Sequence, residues 1–352
     1  MPNQERLNSI TGLKVLATVL IFIWHTGYFE APDLGARCVE IFFVTSGLLM
    51  AWNHEGSYKG TVGECLGIFR QKFLKIYPIY IFGILIAVLN MAVAHNAQGM
   101  GMRELLPTTI AHLTMTQAWF KGIAFKFDGA AWYLSAILFC YAATPVLSFL
   151  VSADKTAIRK KRLITLGLGC LALAFFVELG ETWYPDGFPV SVHSWPPACL
   201  ARYGIGYVAG CWLLSLDSMV IADRKTSLAI SEIVVTAMVL LTVILLNGRL
   251  PRAGFTFLFA AWVSLLAIGV GPVSKLLSIG ALQLPARWEL EFYVLHQPVM
   301  QLVISLLSSV CARKVYVLLA FVATAALAVA FKFIQGRIHK MGRAGSISVH
   351  ER

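Results

Sequence analysis

The stretch Val15-Leu16-Ala17-Thr18-Val19-Leu20-Ile21-Phe22-Ile23-Trp24-His25-Thr26-Gly27-Tyr28 decides the class of this chain. Its apolar residues come as a block, not in alternation with polar ones, and no small-residue cleavage site leads into more polar sequence. It is therefore read as a first membrane span rather than a signal peptide. Blocks near 20 residues match the hydrocarbon thickness of a bilayer, and they recur down the chain. Spans are expected near 13–29, 38–53, 73–95, 131–151, 163–180, 199–216, 228–246, 254–271, 290–308 and 315–334. The second is the weakest, being short and opening on Glu40. Composition agrees: 58% of the residues are apolar, 13% are charged, and the mean hydropathy is +0.73. Soluble domains carry about 25% charge. The expected fold is all-α, a polytopic membrane bundle of about ten transmembrane helices. One domain is expected over 1–334, with a basic, disordered cytoplasmic tail over 335–352.

The net charge of +11 does not indicate nucleic acid, because its Lys and Arg lie in short loops between apolar blocks, where they set topology. They crowd the segments around Lys59–Lys75, Lys155–Arg162, Arg224–Lys225, Lys275–Arg287 and the tail from Lys332. They are sparser at Arg37, Arg103–Lys126, Arg249–Arg252 and Arg313–Lys314. This bias places both termini in the cytoplasm of a multi-pass cell-membrane protein. The seven cysteines include no Cys-x-x-Cys pair and read as packing residues, with no metal expected. The loop from about Asn96 to Ala130 has room for a short helix near Arg103 to Gln117. The loop Glu181 to Ala198, with Trp183, Tyr184, Phe188 and Trp195, either offers aromatic faces to a sugar or lies at the membrane interface.

Ionisable residues within spans are costly, so each is a functional candidate. Lys14 and His25 are eleven residues apart, which on a helix is three turns plus about 20° and a rise of roughly 16 Å. They share a face, Lys14 near the cytoplasmic boundary and His25 toward the outside. His25 suits general-base work; a histidine bonded to a neighbouring carbonyl is the plainer reading, as a snorkelling anchor is for Lys14. Glu40 is expected at a depth comparable with His25, where a carboxylate orients an imidazole or marks the interface. Gly47, seven residues on, lets another helix approach closely. Arg70, Lys72 and Lys75 suit the phosphates of a cytosolic donor, or simple anchoring. Glu289, Glu291 and His296 bring further ionisable groups to the ninth span.

These blocks, in order, resemble the acyltransferase-3 family of integral membrane acyltransferases. Members often open with Arg, ten residues, then His; here Lys14 is followed by ten residues and His25. A Val-Asp-Ile-Phe-Phe-Val-x-Ser-Gly-Phe block appears as Val39-Glu40-Ile41-Phe42-Phe43-Val44-Thr45-Ser46-Gly47-Leu48. Arg-Ile-x-Pro appears as Lys75-Ile76-Tyr77-Pro78, Trp-x-Leu as Trp132-Tyr133-Leu134, and Tyr-x-x-His as Tyr293-Val294-Leu295-His296. Arg202-Tyr203-Gly204-Ile205-Gly206-Tyr207-Val208-Ala209-Gly210 matches a glycine-spaced Arg-Tyr block. The similarity covers about residues 8–334.

The resemblance implies O-acylation, most often acetylation, of a cell-envelope carbohydrate or another small-molecule acceptor. Acyl-coenzyme A is the donor substrate on the cytoplasmic side, and no bound cofactor is implied. His25 and Glu40 are the implied catalytic pair, Lys14, Lys72 and Lys75 the donor-binding cations, and Tyr77, Trp132, Arg202 and His296 the substrate-binding residues. Lys14 lacks the bidentate fork of the usual Arg. Ala136 stands where members often carry an acid near the Trp-x-Leu block. Two other readings are a proton-linked transporter of a small polar substrate, for which no pair of broken helices in two related halves is evident, and a non-catalytic membrane binding module.

Overall fold

A computed structural model of the chain describes residues 7–28, 33–54, 56–94, 100–153, 155–185, 190–246 and 250–350. Asn96, Phe188, Arg249 and the last two residues of the tail lie outside the described residues.

The helices are α1 (Asn8–His25), α2 (Leu34–His54), α3 (Val62–Val93), α4 (Met102–Leu113), α5 (Trp132–Val151), α6 (Thr156–Trp183) and α7 (Pro196–Leu214). They continue with α8 (Ser218–Asp223), α9 (Lys225–Leu245), α10 (Arg252–Ile268), α11 (Pro272–Leu277), α12 (Gly280–Gln283), α13 (Glu289–Leu307) and α14 (Arg313–His350). No strand occurs among the described residues. Each of the ten expected spans coincides with a helix. Eight helical segments are long and apolar enough to cross a bilayer by length and composition; α10 is apolar but shorter. The count of ten therefore turns on α7 and α10.

Local chemistry sets the ends. Thr61 caps α3 with a full capping box, its side chain accepting from the Glu64 amide while Glu64 accepts from the Thr61 amide. That cap starts α3 well before the expected residue 73, so Arg70, Lys72 and Lys75 project from a helix instead of flanking one. Prolines open α7 and α11, where a missing N–H costs nothing. Gly269, at φ 77°, closes α10. Helix α14 extends beyond the expected span end at Ile334.

Helix α2 is the centre of the bundle. Its most apolar window is 83% buried, against 11% for α9 at the lipid-facing periphery. It lies directly on α7, backbone against backbone. A Cβ at Gly47 would collide with the Tyr203 carbonyl, and one at Gly206 with that of Val44. Small residues at both faces permit this approach, as the position of Gly47 suggests. Expected to be the weakest span, α2 is the most enclosed. Its apparent fault, Glu40, is matched one turn earlier by Arg37, whose Nη1 donates to both carboxylate oxygens at 3.0 and 2.9 Å. Helix α13 packs between α3 and α14 and touches α1; this arrangement builds the site.

Candidate active site

Lys14, Thr18, Ile21 and His25 recur along one face of α1. On α13, Glu289 and His296 are seven residues apart and likewise share a face. The helices run side by side and in the same direction. At the lower end Lys14 Nζ donates to Glu289 Oε2 at 2.9 Å, and the Thr18 hydroxyl lies 3.3 Å from Oε1. At the upper end His25 Nδ1 meets His296 Nε2 at 3.3 Å.

Two backbone carbonyls fix the tautomers of this imidazole pair. His25 Nδ1 lies 2.9 Å from the Ile21 carbonyl, and His296 Nδ1 is bonded to the Tyr293 carbonyl. A carbonyl oxygen only accepts, so in the neutral rings both Nδ1 atoms carry the proton. The lone pair of His296 Nε2 then faces His25 Nδ1–H. His25 Nε2 keeps its own lone pair, and no hydrogen bond to it occurs among the described residues. The ring is steadied on one side and basic on the other, the arrangement a general base requires.

Below this pair, toward the expected cytoplasmic face, lies a cavity of about 340 Å³. Lys14, Lys72, Lys75, Arg287 and Lys332 line it, with only Glu289 and Glu291 as counter-charge. Glu291 is engaged by Lys332 at 2.8 Å. Tyr133, Tyr141, Tyr293, Phe42 and Ser46 form part of its wall, beside aliphatic residues such as Ile76 and Leu134. Tyr293 joins the cavity to the histidines, its ring 5.5 Å from that of His296. The lining combines cations with aromatic and aliphatic side chains, a chemistry suited to a phosphorylated ligand with a less polar arm.

The structure groups the sequence candidates differently from the expectation. His25, Lys14, Lys72, Lys75 and His296 all belong to the histidine pair or the cavity, with Lys72 lying 4.6 Å over the Tyr141 ring. Glu40 does not touch His25. It is buried against Arg37, because an unpaired carboxylate at that depth would cost several kcal/mol, and Arg37 sits one turn away to neutralise it. Arg202 is also buried and donates to the carbonyls of Val192 and His193, tying down that loop. Trp132 packs its ring 4.4 Å from His193. Tyr77 donates to the Leu113 carbonyl at 3.0 Å and stacks on Phe73. Tyr77, Trp132 and Arg202 therefore line neither the cavity nor the histidine pair. Glu289, Arg287, Lys332 and Tyr133 belong to the cavity although no donor role was expected of them. For Glu289 the available signal was its seven-residue spacing from His296. Among the described residues no group of three His, Cys, Asp or Glu is placed to hold a metal ion.

A family model described as an acyltransferase domain matches residues 7–333. The acyltransferase MdmB of Streptomyces mycarofaciens is 26% identical over 235 residues, which is 59% of this chain and 57% of that protein. The match thus spans little more than half the length of this curated relative. No solved structure matches. With the family model covering nearly the whole chain, and with a helical bundle around the His25 and His296 motifs, the protein belongs to the acyltransferase-3 family of membrane acyltransferases.

Proposed function

We propose that the chain is a cell-membrane O-acyltransferase, with both termini cytoplasmic, that moves an acyl group, by default acetyl, from cytoplasmic acyl-coenzyme A to a hydroxyl of a cell-envelope or exported carbohydrate. The observation that carries this reading is the His25–His296 pair above a cationic, aromatic cavity. Donor phosphates are held by Lys72 and Lys75, with Lys14 shared between donor and Glu289. The pantetheine arm runs along the tyrosine wall, and the thioester lies beside His25. The acceptor hydroxyl gives its proton to His25 Nε2 while its oxygen attacks the thioester carbon. Collapse of the tetrahedral adduct breaks the C–S bond, and the imidazolium returns the proton to the leaving thiolate. His296 is a positioning residue: its lone pair shares His25 Nδ1–H with the Ile21 carbonyl and stabilises the imidazolium as charge develops.

Transfer of radiolabel from acetyl-coenzyme A into envelope fractions tests this, using membranes that carry wild type, His25→Ala or His296→Ala at equal abundance. Label that depends on His25, with release of free coenzyme A, supports the reading, and the labelled fraction identifies the acceptor class. Label independent of His25 overturns the mechanism. Accumulation of a solute in vesicles without coenzyme A release moves the reading to transport.

A further inference from the structure

Helices α5, α6 and α7 leave a groove of about 630 Å³, nearly twice the volume of the donor cavity, along their lipid-facing side. Leu147 and Leu150 of α5, Leu166 and Leu173 of α6 and Leu200 of α7 line its walls. Gly169 contributes open space: a Cβ added there would meet nothing within 4 Å. At one end the lining changes to Lys161 and Arg162, both exposed. No Asp or Glu is among the lining residues. Arg162 Nη1 donates to the Ser152 carbonyl, which fixes the direction of its guanidinium. Lys161 has no hydrogen-bond or ion-pair partner among the described residues.

From Lys161 to Leu173 the helix rises about 18 Å, close to the depth of one leaflet, half of a hydrocarbon core about 30 Å thick. The cations belong to the Lys155–Arg162 run, which charge bias assigns to the cytoplasmic side. A ligand that fills this groove needs a single-leaflet hydrocarbon chain ending in a negative charge at the inner surface. We infer that the groove is a specific site for an anionic phospholipid of the inner leaflet, its chain against Gly169 and its phosphate held between Lys161 and Arg162. Basic pockets between membrane helices on the cytoplasmic side bind anionic head groups in this way. The site is remote from His25 and does not depend on the acyl-transfer reading.

The test uses the full chain purified in mild detergent, with native mass spectrometry to count retained lipid and thermal unfolding to read its effect. The probes are phosphatidylglycerol, phosphatidylcholine and glycerol 3-phosphate. Phosphatidylglycerol is expected to bind and raise Tm, whereas phosphatidylcholine and the chainless phosphate do neither. Gly169→Leu puts a side chain into the groove from a position where a Cβ meets nothing within 4 Å, and the double variant Lys161→Ala, Arg162→Ala removes the charge. Each is expected to weaken phosphatidylglycerol binding at least tenfold while keeping the wild-type Tm in detergent alone. Equal binding of phosphatidylcholine, an equal Tm shift from glycerol 3-phosphate, or undiminished binding to Gly169→Leu overturns the inference. So does a wild-type dimer that Gly169→Leu dissociates, since the groove would then be a contact between copies.

Discussion

Two of the charged groups within this bundle are built on opposite plans. At the end of the bundle expected to face outward, between α2, α7 and α10, Arg37 and Arg202 are closed off by the protein itself. Arg37 grips both oxygens of Glu40 and lies 4.1 Å from the Phe255 ring, while Arg202 is spent on loop carbonyls. At the end expected to face the cytoplasm, Lys72, Lys75 and Arg287 line open space, and Lys332 shares its carboxylate partner with that space. Both groups consist of intramembrane charges, and each would be flagged as functional on that ground alone. What separates Arg37 and Arg202 from the cavity cations is satisfaction, although Arg252 beside them keeps a buried Nη1 without a hydrogen-bond partner. A buried charge whose partners are all supplied by the chain holds the fold together. A charge left facing a cavity is available to a ligand.

The two groups of charges should respond differently to mutation. The largest effect is expected in the histidine pair. His25→Ala should lower acyl transfer by at least the 10²–10⁴-fold typical of a lost general base, at unchanged abundance in the membrane, measured with labelled acetyl-coenzyme A. His296→Ala should cost less, and in kcat more than in KM. Next is Glu40→Ala, which strands Arg37 in the interior and should destabilise the fold by about 3–5 kcal/mol. It is read as lost monodisperse protein on size-exclusion chromatography, and full stability with lost turnover would show that Glu40 belongs to the site after all. Lys72→Ala with Lys75→Ala should raise the KM for the donor about tenfold, or ~1.4 kcal/mol, with Tm intact. If Tm falls instead, the inner cations are structural and the contrast between the two groups collapses.

The last prediction concerns Asp128, in the loop before α5. Burial pushes its carboxyl up from 3.8 to about 7. Between those values the unfolded chain has released the proton that the folded chain still holds, so this group lowers stability as pH rises from about 4 to 7 and adds no further slope above. Asp128→Asn should flatten that part of a Tm-against-pH curve and raise Tm at pH 8. An unchanged slope would locate the pH dependence elsewhere.

The spans were readable because each had to satisfy its own backbone within lipid, a constraint that acts locally and leaves a continuous apolar run. The pairings were not readable, because they join residues far apart in sequence. Lys14 finds Glu289 across 275 positions, and His25 finds His296 across 271. Nothing in the α1 stretch specifies that α13 lies beside it. Resemblance supplied both histidines but placed Glu40, not His296, next to His25. The Arg37–Glu40 pair was within reach, since Arg and Glu three residues apart on a helix face each other. It was missed because Arg37 read as part of an outer loop. The start of α3 was missed for a similar reason: the capping box at Thr61 is a local signal, but the apolar run that draws attention begins a full three turns later.

The glycine seam between α2 and α7 has a consequence for how this sequence can diverge. At Gly47 and Gly206 the neighbouring backbone occupies the place of a side chain, so no rotamer choice relieves a substitution. Random mutagenesis followed by selection for expressed protein should leave these positions as glycine, with Gly210, which sits against Leu48 and Ala51, close to invariant. Across the molecule, Gly169 should drift freely among apolar residues if expression alone is selected. A survey of that kind would draw a line of immobile letters down the middle of the bundle, surrounded by helices whose outward faces are free to change.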